Sequence, residues 1–65
     1  MLEYEVQLTF ESGSQTEKRY INESEAENAY AIACDLLGFG EDMLICVAFI
    51  ESSEYGYTII QETEF

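Results

Sequence analysis

Hydrophobic and polar positions alternate along the first stretch of the chain. Leu2, Tyr4, Val6, Leu8 and Phe10 fall on one side of an extended backbone, and Glu3, Glu5, Gln7, Thr9 and Glu11 on the other. This is the pattern of a half-buried strand. Glu11-Ser12-Gly13-Ser14 reads as the turn, because Gly13 takes positive φ without steric cost. Gln15–Asn22 is the return strand, and its register stays open. A two-residue loop at Ser12-Gly13 sends Glu17 and Arg19 to the core face. A three-residue loop with Gly13 or Ser14 in a bulge sends Thr16, Lys18 and Tyr20 there instead.

The period then changes. Ala26, Ala29, Tyr30, Ala33, Leu36 and Leu37 recur at three- and four-residue steps, which predicts a helix over Asn22–Gly38 with one apolar stripe. Ser24 with Glu27, or Asn22 with Glu25, fits a capping box. The small residues of the stripe allow close approach to a sheet, and Gly38 suits the position that ends the helix.

Met43–Ile50, MLICVAFI, is an unbroken apolar run bounded by acids and serines. Its length and its Ile, Val and Phe content predict a buried strand. Simple alternation places Met43, Ile45, Val47 and Phe49 on one face and Leu44, Cys46, Ala48 and Ile50 on the other. Both faces want cover, and one helix covers one face. The surplus apolar face, assigned to Met43, Ile45, Val47 and Phe49, is expected to meet a second copy of the chain or another partner. The competing reading is a strongly curled sheet that covers itself. Ser52-Ser53-Glu54 connects to a last strand, Tyr55–Glu62, and residues 63–65 are expected to fray unless Phe65 docks. The β-β-α-β-β order predicts the α+β class. Residues 1–65 form a single domain, a four-stranded, mainly antiparallel sheet with one helix on one face. Strand order is not legible.

Charge changes the picture. Fourteen acids oppose two bases, Lys18 and Arg19, for a formal net charge of −12, yet the chain is 48% hydrophobic and so expected to fold. So acidic a surface excludes nucleic acid and anionic membranes as direct partners, since both are bound through Lys and Arg. No stretch approaches the length of a membrane span. The acidic, alternating N-terminus is unlike a signal peptide. Cys34 and Cys46 sit in apolar patterns and read as reduced thiols, which points to a cytoplasmic protein.

Candidate chemistry is sparse. The chain has no His, the commonest general base and metal ligand. It has no glycine-rich phosphate loop, no CxxC and no EF-hand spacing. Catalysis, a cofactor and a metal are therefore not expected. What remains is acidity beside aromatics. Glu23, Glu25, Glu27 and Asp35 lie along the helix, and Glu41, Asp42, Glu51 and Glu54 at the strand ends. With Tyr55 and Tyr57 as contact aromatics, they form a candidate surface for a basic protein. Carboxylates on a folded surface can imitate a phosphate backbone; the plainer reading of the same acids is solubility.

The β-β-α-β-β order, the small size, the acidity and the helix in INESEAENAYAIACDLLGFG resemble the small inhibitors carried by bacteriophages and other mobile elements, anti-CRISPR proteins among them. The resemblance implies a non-enzymatic inhibitor of a basic, nucleic-acid-handling bacterial defence protein, acting in the host cytoplasm, in some cases as a DNA mimic. The alternative expectation is a small dimeric accessory or assembly module that uses the open apolar sheet face.

Overall fold

The computed structural model describes residues 2–65, which form β1 (Glu3–Phe10), β2 (Gln15–Tyr20), α1 (Glu23–Cys34), β3 (Leu44–Ser53) and β4 (Gly56–Glu64). The strands make one sheet in the order β2-β1-β3-β4, every neighbouring pair antiparallel. This is the α+β architecture that the alternation of periods predicts. The two most apolar strands are central, and the edges are the polar β2 and the mixed β4.

The first hairpin takes the three-residue loop. Thr9 faces Gln15, Phe10 N donates to Ser14 O at 2.9 Å, Gly13 N donates to Phe10 O at 2.9 Å, and Gly13 has φ 92°. Tyr20, Lys18 and Thr16 consequently lie opposite Tyr4, Val6 and Leu8. The Lys18 ammonium stands 5.6 Å from the centre of the Tyr20 ring, with its stem along the apolar face.

Asn22, not Ser24, caps α1: its side chain accepts from Glu25 N at 3.1 Å. The helix stops at Cys34, short of the predicted Gly38. Two tighter turns follow, Leu36 N to Ala33 O and Leu37 N to Cys34 O, and leave Leu36 exposed rather than in the apolar stripe. Gly38 then reverses the chain at φ 84°. An added Cβ there would overlap the Phe65 ring. The C-terminus does not fray: Thr63 and Glu64 belong to β4, and Phe65 N donates to Ile45 O at 2.9 Å.

A bulge in β3 decides where the core lies. Thr9 faces Cys46 but Phe10 faces Leu44, so Ile45 is an extra residue. An extra residue breaks alternation, and Leu44 joins Val47 and Phe49 on the helix side. There they pack with Tyr4, Val6, Ala26, Tyr30 and Ala33. Phe49 sits between two rings, with centroids 6.0 Å from Tyr4 and 5.9 Å from Tyr30. The expected partner face of Met43, Ile45, Val47 and Phe49 is therefore corrected. Val47 and Phe49 are buried beneath α1, while Met43 and Ile45 are half-buried outside the core cluster. The opposite face of β3 carries Cys46, Ala48 and Ile50. Ala48 and Ile50 are buried, and the exposed apolar side chains of this face are Tyr57 and Ile59 on the neighbouring β4.

Candidate functional site: an acidic open sheet face

The register lays out the face away from the helix in four rows. Glu3, Ser52 and Tyr57 form the first; Arg19, Glu5, Ile50 and Ile59 the second; Glu17, Gln7, Ala48 and Glu62 the third; Gln15, Thr9, Cys46 and Glu64 the fourth. Residues opposite one another in an antiparallel pair share a face, so five carboxylates and one guanidinium occupy this surface around a small apolar centre. Glu3, Glu17, Glu62 and Glu64 are exposed, and Tyr57 and Ile59 stand out between them.

Glu5 differs from its neighbours because its side chain is only 17% exposed. Burial raises its pKa, as do the hydrogen bond and charge of Glu17; Arg19, whose Nε lies 3.7 Å from Glu5 Oε2, opposes them. A carboxyl with a raised folded pKa binds more protons folded than unfolded between its two pKa values. Its contribution is therefore most favourable below the unfolded pKa and declines as pH rises through the folded one. Glu5→Gln is expected to raise the thermal midpoint at pH 7 and to flatten its dependence on pH across the carboxylate range. A lower midpoint at pH 7 would instead make the Arg19 contact the dominant interaction.

Cys46, Glu62 and Glu64 bring three donor atoms within 4.8 Å of one another, the one such group among the described residues. Burial, then the charges of Glu62 and Glu64, push the Cys46 thiol upward, the reverse of what activates a nucleophile. The spacing would admit a cation, but two exposed carboxylates need none.

The acids singled out from the sequence fall into separate places. Glu23, Glu25 and Glu27 are exposed on the first turns of α1. Glu23 and Glu27 join Glu51 around the Tyr4 hydroxyl, whose pKa is raised by burial first and by those charges next. Glu54 and Tyr55 form the β3–β4 turn, where Tyr55 is 91% exposed. Asp35 and Glu41 lie near the other end of the domain, beyond the last turn of α1.

Asp42 is occupied within the chain: its two carboxylate oxygens accept from Ser12 N at 2.9 Å and Ser12 Oγ at 2.6 Å. It clamps the first hairpin to the start of β3, beside the bond from Glu11 N to Met43 O. Asp42→Ala is expected to cost about 1 kcal/mol, below the roughly 1.5–3 kcal/mol of hydrogen bonds to a charged group because both partners are exposed. That is a fall in thermal midpoint of roughly 4–8 °C for a domain of this size, readable by circular dichroism.

Glu3, Glu5, Glu17, Glu62 and Glu64 were not among the candidate residues. The outward alternation of the first strand put Glu3 and Glu5 on one face, but only the pairing of β4 with β3 brings Glu62 and Glu64 onto the same surface.

The fold and this surface define a class: a small α+β domain with a helix over one face of its sheet and an acidic, solvent-facing other side. No family model matches the chain, no curated protein matches its sequence and no solved structure matches it. No helix among the described residues is long and apolar enough to cross a membrane.

Proposed function

We propose that the protein is a non-enzymatic inhibitor that docks its acidic open face on a basic, nucleic-acid-handling protein of a bacterial cell, in the manner of some phage-borne, anti-CRISPR-like inhibitors. The observation that carries this reading is charge density on a folded surface. The open face carries five carboxylates against one guanidinium, on a domain whose net charge is −12. A groove lined with Lys and Arg to hold phosphates attracts such a surface at long range. Tyr57 and Ile59, exposed beside Ile50, add apolar contact at the centre of the carboxylates.

The test is capture on the immobilised protein from bacterial lysate at about 10 mM and 150 mM salt, where the Debye length falls from roughly 30 to 8 Å. The expected result is a nucleic-acid-binding protein held at low salt and displaced by added DNA or RNA. Equal capture by the triple variant Glu3→Lys, Glu62→Lys, Glu64→Lys would overturn the proposal, as would capture indifferent to salt and nucleic acid.

A further inference from the structure

The two edges of the sheet are unlike. β2, QTEKRY, shows solvent polar side chains and both basic residues of the chain, which is how natural edge strands are kept from pairing. β4, GYTIIQETE, carries no Lys and no Pro along nine residues, and Tyr57, Ile59 and Ile60 are exposed on it. Its outer backbone is unpaired over that length. Phe65 N donates inward to Ile45 O; by the alternation of an antiparallel ladder, Glu62 and Glu64 turn their N–H and C=O groups outward.

The two sides of this edge differ as well. On the helix side, α1 packs on β1, β3 and β2 and reaches β4 mainly through Tyr30. An open groove of about 640 Å³ runs there, its apolar wall formed by Tyr30, Ala31, Cys34, Phe49 and Ile60 and its polar wall by Glu27, Gln61 and Thr63, and a 2.5 Å hydrogen bond between Tyr30 Oη and Thr63 Oγ1 braces it. On the open side stand Glu62 and Glu64.

We infer that the β4 edge accepts an extended segment of the partner protein as a fifth strand, with apolar and basic side chains alternating along it. Strand addition supplies the main-chain bonds, and the period of two sends every second side chain to each side of the edge. Apolar residues then enter the α1–β4 groove beside Ile60, and Lys or Arg residues meet Glu62 and Glu64. Charge selects this occupant over a second copy of the chain, which would bring a further −12 and its own Glu62 and Glu64 to the same edge. The inference rests on the cationic partner proposed above and adds how that partner is held.

A labelled peptide of about nine alternating Lys and Val residues, the length of β4, is the probe, titrated at low salt by fluorescence anisotropy. Its control has the same side chains with alternate backbone nitrogens methylated, which keeps the charge and removes donors. The expected result is binding by the first peptide and about tenfold weaker binding by the second, the effect of losing roughly two net hydrogen bonds. On the protein side, Glu62→Pro removes an outward donor at an edge position that tolerates proline, and it should bind more weakly than Glu62→Gln, which loses only the charge. Equal binding of the two peptides, together with equal affinity of the two variants, would overturn strand addition and leave a cationic partner standing. No binding of either peptide, or a dimer mass in solution that Glu62→Pro abolishes, would overturn it too; the dimer would assign the edge to a second copy. Failure of the cationic-partner reading is seen separately, in salt-indifferent capture from lysate.

Discussion

Val47→Asp is expected to leave the protein unfolded at neutral pH. Val47 is fully buried under α1, in the cluster with Tyr4, Val6, Tyr30 and Phe49. No buried polar or charged residue lies in the core among the described residues, so a carboxylate there would find no counter-charge. The effective cost of burying an unpaired ion is several kcal/mol, and the lost valine adds about 1–2 more. A domain of this length has about 3–10 kcal/mol in total. The side chain can reduce the penalty only by staying protonated, so any residual folding should appear as the pH is lowered. The informative companion is Ile45→Asp. Strict alternation would place positions 45 and 47 on one face, but the bulge makes Ile45 an extra, half-buried residue outside the core cluster. That variant should retain a cooperative thermal transition. Circular dichroism of the pair decides: a folded Val47→Asp, or equal damage from both, would contradict the bulge.

Reversing Glu3, Glu62 and Glu64, three of the four exposed open-face carboxylates, to Lys should cost the complex about a hundredfold in affinity. An exposed ion pair contributes roughly 0.5 kcal/mol. Reversal removes that attraction and substitutes a comparable repulsion, about 1 kcal/mol per site. Three sites give about 3 kcal/mol, close to two decades at 1.4 kcal/mol per decade. The helix triple Glu23→Lys, Glu25→Lys, Glu27→Lys carries the same change in net charge on another part of the surface. The short axis of the domain is 15 Å, about twice the Debye length at physiological salt. The helix charges are therefore largely screened from a partner on the open face, and their reversal should cost much less. Titration of the captured protein against the two triples separates the readings. A larger loss from the helix triple would move the docking surface to α1.

Glu3, Glu17 and the β4 pair Glu62 and Glu64 are local facts on three different strands, and each reads as an ordinary solvated acid. They become one surface because β1 sits between β2 and β3, and β4 pairs with β3. Strand order leaves no trace in a linear pattern, since the same alternation serves an edge or a central position. The acids of the helix were legible for the opposite reason: their spacing is local, and α1 forms where its apolar steps and Asn22 cap agree.

By itself the sequence determined the element order, the α+β class, the acidic surface and which residues are apolar enough to be buried, because each depends on composition or on a period of two or about 3.6. Only the tertiary structure decided which apolar residues are buried together. The hairpin register depended on one glycine turn that two loop lengths satisfy equally. The face of Val47 depended on a single extra residue at Ile45, and one insertion inverts every assignment on one side of it. Pairing geometry resolved both, because Tyr4, Val6 and Leu8 must meet Phe49 and Val47 across the ladder while the helix closes over them.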